Sequence, residues 1–589
     1  MYDIRQTTLS FLCATALLVA GGTALAQGGG PAMATPGDWP LHNLDLRNSR
    51  FSPLTQINTT TADKVTIKWT YELPKGANIG TATPLVVDGV MFLNSGSKLM
   101  ALDAATGQLK WQTDVEPTLK SNGRGPAYGD GKIFAVGQDS LIAVDARSGK
   151  PVESFGKGGV ATVIKDALDF KDPDKYPKDF DPEAVGYLIQ SAPTYYNGTI
   201  YIGSAVADSL ISGGLIVAVD AKTGRTKWVF RTVPQNPTDD GWELAKDTWS
   251  GPLRQGGGIW TQPSLDPELG LLYANVSNPS PNYDGSSRKG VNLFTNSVVA
   301  LDLNTGKLKW HFQAIHHDIW DWDLMTGPTL FDITVDGKPV KGLASQAKTC
   351  YVYALNRQTG EPIFPIVETP VPTKTDLPGE QPWPTQPIPY SARYVPQQPF
   401  CATFPKISDP ELAKLRRPSF HPWQVNEFVI TSPGLLGGPN RGSSSFSPRT
   451  GFLYVTGKND AWSIKTKPVG NSIKPGPGSP GHFQSIGEQG KMGVTPTQNI
   501  GAFNPATGEL AWVKEFPGTT NGGNLVTAGD VLFQAILRDF LVLDARTGAT
   551  LAKVALKAPM VTTPLTYEAR GKQFVAIAQG NTVVAVGLP

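Results

Sequence analysis

His316-His317-Asp318-Ile319-Trp320-Asp321-Trp322-Asp323 packs three carboxylates and two imidazoles into eight residues, with two indoles set between the acids. Acids at i and i+2 of an extended loop share a face, so Asp321 and Asp323 can point at one centre. Two like charges held that close need a cation or a proton between them. Hard cations take oxygen ligands of this kind, and a carboxylate beside a metal, walled by aromatic rings, can serve as a general base. The same residues are also compatible with a turn whose acids lie in water and whose indoles are packing. His316 and His317 do not suggest a shared zinc, because neighbours on an extended strand project to opposite faces.

The elements that must position these groups are short strands. One phrase recurs: Leu99-Met-Ala-Leu-Asp103-Ala-Ala-Thr-Gly107 leads to Trp111, Val217 to Gly224 leads to Trp228, Val299 to Gly306 leads to Trp310, and Ala502 to Gly508 leads to Trp512. Copies without the tryptophan lie at Asp145 to Gly149, Asn356 to Gly360 and Asp544 to Gly548. Each reads as strand, tight turn, strand: Asp or Asn bonds the turn backbone and Gly takes the positive φ. A second phrase, Val86-Val-Asp-Gly89, supplies a preceding hairpin and returns at Tyr196-Asn-Gly198 and Ala528-Gly529. The turn glycines are 42, 75, 82, 54 and 40 residues apart where copies are adjacent, and a gap of 148 separates Gly360 from Gly508. Sheet repeats of this kind make a propeller, since one sheet cannot bury both faces alone. Seven copies, and a degenerate one traced by Ser447-Pro-Arg-Thr-Gly451 in the long gap, predict an all-β, eight-bladed β-propeller with tryptophan-docking repeats rather than two β-sandwiches. Thr582 to Val586 is expected to pair with a strand near Val65 to Tyr71 and close the ring. Two stretches break the rhythm. Residues 367–405 are Pro-rich and read as loop at the rim, and residues 465–493 read as a lid or an exposed loop.

The 589 residues include 63 Gly and 50 Pro but only 17% charged residues, which favours strands and turns over long helices. A net charge of +2 gives no footprint for a nucleic acid. Arg5, an apolar run from Leu9 to Ala20 and Ala24-Leu25-Ala26 form the three parts of a cleavable export signal, so residues 1–26 are expected to leave and 27–589 to form a single propeller outside the cytoplasm. No later stretch is long and apolar enough to span a bilayer. Cys13 leaves with the signal, and Cys350 and Cys401 are either one disulfide or two buried thiols. No C-x-x-C-H occurs, so no covalently attached haem c is expected.

Four further stretches set polar or aromatic residues just after a strand: Gly203-Ser-Ala-Val-Ala-Asp208, Gly257-Gly-Ile-Trp260, Asn275-Val-Ser-Asn278 and Gln346-Ala-Lys348. With His-Asp-Ile-Trp-Asp and the repeats, they make the chain resemble the pyrroloquinoline-quinone (PQQ)-dependent dehydrogenases, the group of methanol and ethanol dehydrogenases and the membrane glucose dehydrogenase. The likeness runs from Gly37-Asp-Trp-Pro to the C-terminus and includes Asp266-Pro-Glu-Leu-Gly-Leu-Leu-Tyr and Gly290-Val-Asn-Leu-Phe-Thr-Asn-Ser. The resemblance implies roles. Asp321 would be the catalytic base and Lys348 the cation at the quinone carbonyls. Asn278, Asp208, Asp321 and Asp323 would hold the metal, Ca²⁺ by preference with a lanthanide open. Trp260 would stack on the flat cofactor, Ala205, Val206 and Ala207 would line it, Arg124 and Ser191 would hold its carboxylates, and Asn440 would lie near its reactive edge. An indole face and cations suit a flat tri-anion. A metal on a quinone oxygen acts as a Lewis acid.

The chain also departs from that pattern. Asn122 and Gly123 stand where the alcohol dehydrogenases carry paired cysteines over the cofactor, and Thr81 stands where methanol dehydrogenase has a glutamate. A more open roof is expected, and with it a substrate bulkier than methanol: a sugar, a polyol or a polycyclic secondary alcohol. Electrons would leave to a separate acceptor such as a cytochrome c, with a periplasmic location. The alternative is a non-catalytic propeller scaffold of the outer-membrane assembly type, which the Trp-Asp acid cluster and the inward lysine argue against.

Overall fold

The computed structural model describes residues 36–589 apart from 76, 78, 97, 116–122, 206–210, 252–253, 402–406, 408, 467–487, 490–494 and 560–561. The expected signal, Asn122, Val206, Ala207, Asp208 and nearly all of the expected lid therefore lie outside the described residues. No described helix is long and apolar enough to cross a membrane.

Eight of the sheets form eight blades, each built on a meander of antiparallel strands, with Phe51–Ser52 added in parallel to the first strand of blade seven. Blade one spans residues 85–114, blade two 127–162, blade three 194–231, blade four 264–313, blade five 329–356, blade six 445–517 and blade seven 524–555. In blade eight, Leu565–Ala569, Lys572–Gln579 and Thr582–Gly587 are completed by Thr66–Glu72, paired antiparallel to the last strand. The C-terminal strand thus fastens to the N-terminal one, as expected, and leaves the ring no open edge.

The eighth unit arises differently from the sequence reading. Ser447 to Gly451 is the first hairpin of blade six, and Asn504 to Gly508 is a later turn of the same blade. The gap of 148 residues therefore hides no blade of its own; it holds an excursion before blade six and a second within it. The first is not all loop either, because Ile366–Pro370 and Thr385–Pro389 pair as a hairpin.

The repeated phrase works between blades. Asp103 Oδ1 accepts from the Ala105 and Thr106 amides and the Thr106 hydroxyl, which closes the turn. Trp69 of blade eight then lies on that turn and donates Nε1–H to Ala104 O at 3.1 Å. Trp111, Trp228, Trp310 and Trp512 repeat the bond to Ala146, Leu303, Arg357 and Ala545 of the neighbouring blade at 3.1–3.3 Å. The glycine is required twice over. Gly107 has φ +73°, and a Cβ there would stand 2.6 Å from the Trp69 ring. At Gly508 the nearest atoms belong instead to Phe364, Tyr390 and Ser391, which flank the hairpin of the first excursion.

A meander has two ends. Connections between blades and turns between second and third strands fall on one face of the ring, and the remaining turns fall on the other. The tryptophan-docked turns occupy the second face. Arg124, Ser191, Trp260, Asp321, Asp323 and Asn440 lie in blade-to-blade connections, while Ala205 ends a second strand and Asn278 and Lys348 follow second strands, so the chain delivers all of them to the first face.

Candidate active site

The acidic stretch links blade four to blade five, and a frame of hydrogen bonds fixes it. Asp318 is buried and accepts from the Trp320 amide at 2.7 Å, the Trp322 amide at 2.9 Å and Asn296 Nδ2 at 2.7 Å. Burial raises its pKa, and these bonds oppose the rise. Trp320 and Trp322 stack at 5.4 Å, with Phe420 edge-on to both. Trp320 Nε1 donates to His421 O, and Trp423 Nε1 to Ile319 O. The indoles between the acids are thus the wall that the first excursion packs against.

With that loop held, Asp321 takes φ +62°, a left-handed backbone that turns its carboxylate away from the run of the chain. Lys348 Nζ donates to Asp321 O at 2.8 Å and to Asp321 Oδ2 at 3.1 Å, and lies 3.2 Å from Asp323 Oδ2. The other oxygen of Asp323 accepts the Asn278 amide at 2.8 Å, and the Lys348 amide donates to Asp323 O at 3.0 Å. The expected convergence of two acids is present, and an ammonium stands between them. Asn278, Asp321, Asp323 and Lys348 therefore come together from three connections of two blades, all buried. Asn278 Oδ1 is buried with no hydrogen-bond partner, while its Nδ2 donates to Pro279 O.

Trp260 reaches the same mouth over a run of glycines. A Cβ on Gly256 would stand 2.6 Å from Asn278 O, and one on Gly257 2.8 Å from Val233. The Gly257 amide donates to Asn278 O at 2.9 Å, and the Ile259 amide to Ser204 O at 2.8 Å. Only a chain without side chains threads between those neighbours. Trp260 emerges half-buried, with an inward Nε1 lacking a partner. Arg124 Nε holds Trp260 O at 2.6 Å, and its Nη1 donates to Arg441 O. Burial, then the Arg441 charge, push the Arg124 guanidinium down to about 9.

The remaining predicted residues divide. Ser191 is fully buried, and its hydroxyl bridges the backbone of Gly203, donating to O at 2.9 Å and accepting from N at 3.0 Å. That proton is committed to blade three. Ala205 ends the strand Thr199–Ala205 and pairs with Leu188. Asn440 is buried in the segment after Gly438, where a Cβ would strike Lys348 O. Thr81 Oγ1 donates to Gly123 O at 3.4 Å. The two histidines diverge as expected: His316 reaches Glu368 at 3.0 Å, and His317 reaches Glu380 at 2.8 Å. Both glutamates come from the first excursion. Among the described residues no group of three His, Cys, Asp or Glu side chains is placed to hold a metal. Cys350 and Cys401 are joined as a disulfide beside Lys348.

Sequence reading passed over Glu380, Arg441 and Lys458. Their signal was position: Arg441 follows Asn440, and Lys458 ends the second strand of blade six, so both reach the ring face that carries the acids.

Comparison with known proteins agrees with this geometry. The family described as "PQQ: Glucose/ethanol/alcohol dehydrogenase, beta-propeller domain" matches residues 39–475 and 515–575. The dehydrogenase subunit of the quinone-dependent alcohol dehydrogenase of Komagataeibacter europaeus is 30% identical, over 98% of this chain and 77% of its own length. The large subunit of glycerol dehydrogenase from Gluconobacter oxydans is 27% identical, over 93% of this chain and 84% of its own. The crystal structure of quinohemoprotein alcohol dehydrogenase from Comamonas testosteroni superposes with a TM-score of 0.74 at 26% identity, covering 94% of this chain and 81% of that one. The chain belongs to the PQQ-dependent glucose/ethanol/alcohol dehydrogenase family of β-propellers.

Proposed function

We propose that the protein oxidises the alcohol group of a sugar, a polyol or a bulky secondary alcohol to a carbonyl, outside the cytoplasm. The observation that carries the reading is the meeting of Asp321, Asp323 and Lys348 with the unpartnered carbonyl of Asn278 at one end of the ring. A buried amide oxygen without a donor costs about 1–3 kcal/mol. A hard cation removes that cost, and Asn278 Oδ1 with the Asp321 and Asp323 carboxylates is an oxygen set of the type Ca²⁺ takes. Trp260 offers a half-buried indole face, and Arg124, depressed by burial and by Arg441, regains stability when an anion arrives. The residues therefore fit a flat anionic quinone with a divalent ion.

Bound PQQ supplies the two-electron acceptor, and the metal supplies Lewis acidity. The chain supplies the rest. Asp321 Oδ2 takes the proton of the substrate hydroxyl, and its left-handed backbone aims it at the mouth. Lys348 holds Asp321 in place through its carbonyl and Oδ2, and its ammonium offers a donor where negative charge develops. Asp323, fixed by the Asn278 amide, would serve as a ligand of the ion. Export is supported by the N-terminal signal and by the Cys350–Cys401 bond, which belongs in an oxidising compartment. Gly123 in place of one of the paired cysteines supports a bulkier substrate, and electrons would pass on to an acceptor such as cytochrome c. A panel of alcohols, sugars and polyols assayed with PQQ, Ca²⁺ and a dye acceptor tests the reading. Best turnover on a substrate larger than ethanol is expected, and best turnover on methanol would overturn the substrate assignment.

A further inference from the structure

Lys458 is a buried lysine to which the reaction above gives no task. It is the last residue but one of the second strand of blade six, Phe452–Asn459, as Lys348 follows the second strand of blade five, Lys338–Gln346. The two lysines are neighbours through one segment: Gly438 exchanges both backbone hydrogen bonds with Lys458 at 3.0 and 3.1 Å, and Gly438 itself packs against the Lys348 backbone. That segment continues through Asn440 to Arg441, whose carbonyl holds Arg124. Lys458 Nζ is fastened to Oδ1 of Asn521, an exposed residue in the connection from blade six to blade seven. Asn521 thus stands at the level of the ring that Arg124, Ser191 and Trp260 occupy in earlier connections.

A buried ammonium is costly unless an opposite charge answers it. Among its charged neighbours, Asp460 favours the ammonium, whereas Arg441 and Lys348 oppose it; burial and these cations bring Lys458 down to about 8. Burial likewise raises Asp460, whose carboxylate is engaged by Trp462 Nε1 at 2.8 Å. Four cations, Arg124, Lys348, Arg441 and Lys458, therefore gather on one mouth against the three carboxylates of Asp321, Asp323 and Asp460, which leaves an excess of positive charge. Such an imbalance suits a ligand with several negative charges.

We propose that Lys458 is a cofactor-binding residue, its ammonium presented by Asn521 to a carboxylate of the PQQ tri-anion on the side of blades six and seven, opposite Arg124. The inference rests on the mouth being the PQQ site. It assigns to blade six a role parallel to that of Lys348: one lysine serves the reacting carbonyls and the other serves a charged edge of the same ring. Asn521 keeps the long side chain extended, so less rotamer freedom is lost on binding.

The test measures binding rather than turnover. Apoprotein carrying Lys458→Met or Lys458→Arg is titrated with PQQ in Ca²⁺ buffer, followed by quenching of tryptophan fluorescence, and the titrations are repeated with the trimethyl ester of PQQ. Lys458→Met is expected to weaken PQQ binding roughly 10- to 100-fold, the range of one charge-assisted hydrogen bond, with Lys458→Arg within about 5-fold of wild type. The ester, which lacks the anionic groups, should bind wild type and Lys458→Met alike; a residue that only supports the fold would lower both ligands equally, and that result would overturn the proposal. Unchanged PQQ affinity in Lys458→Met, with wild type binding normally, overturns it too and leaves the PQQ reading standing. Wild-type protein that binds no PQQ overturns both. Should Lys458→Met fail to fold, Asn521→Ala keeps the charge but releases its tether; a loss of about 3-fold or more for PQQ alone supports the assignment, and no loss refutes it.

Discussion

Replacing Glu380 by alanine asks whether the first excursion holds the acidic loop in register. The side chains of Glu380 and His317 are 1% and 0% exposed. His317 Nδ1 faces Gly290 O, and Nε2 faces Glu380 Oε1, both at 2.8 Å. Glu380 also accepts the Gly285 amide, and its pKa is lowered against burial by His317, Arg288 and that amide. Alanine deletes three bonds to the carboxylate, from His317, Gly285 and the Gln381 amide; the first two are worth about 1.5–3 kcal/mol each, and water replaces the partner of the exposed Gln381 amide. The ring keeps its contact with Gly290 O, and the net cost should be about 3 kcal/mol, the low end for a broken buried pair. Urea denaturation at neutral pH should read that difference. Because the folded pKa of Glu380 lies below its unfolded value of about 4.3, its contribution is fully present above that value. It is lost as the pH falls through the folded pKa, so the gap between wild type and variant should close in acid. His317 is four residues from Asp321, and a misplacement of about 1 Å costs about 100-fold in rate. The kcat should therefore fall 10- to 100-fold with the far-UV spectrum unchanged. A variant within about 0.5 kcal/mol of wild type, with undiminished kcat, would refute the clamp.

Two further outcomes follow from the fold. Gly107→Ala must place a Cβ against the Trp69 ring at positive φ and should cost about 2–4 kcal/mol, whereas Gly89→Ala, also at positive φ but in open space, should cost about 1 kcal/mol; equal thermal shifts for the two would contradict the docking role. Cys350 and Cys401 are 51 residues apart, and replacing both with alanine should cost about 2–5 kcal/mol. Reductant should then lower the thermal midpoint of wild type and leave the variant unmoved, and a reductant-insensitive wild type would show that the bond carries no stability.

The ring was legible because its device is local. Asp103 to Gly107 writes a turn, Trp111 writes the lid of the next one, and periodicity does the counting. What could not be read was the partner of each tryptophan, since docking joins residues of different repeats, and the make-up of the eighth blade, whose strands come from the two ends of the chain. The acid pair could be placed on one centre from its spacing alone. That Lys348 would be the cation between them needed the pleat of blade five. Ser191 shows what residue type alone leaves unread: its hydroxyl also bridges the backbone of Gly203 twelve residues on, a partner no local pattern announces. Glu380 lay in a stretch read as rim loop because Pro-rich composition signals irregular backbone, not whether that backbone returns to pack on a distant His317.

The most direct measurement is single-turnover reduction of bound PQQ in Asp321→Asn. The asparagine keeps the shape of the site and its bond to Lys348 but cannot take a proton. PQQ should bind within about 5-fold of wild type, and reduction by substrate should slow by at least about 100-fold. Reduction at the wild-type rate, with PQQ bound, would contradict the assignment of Asp321 as the base.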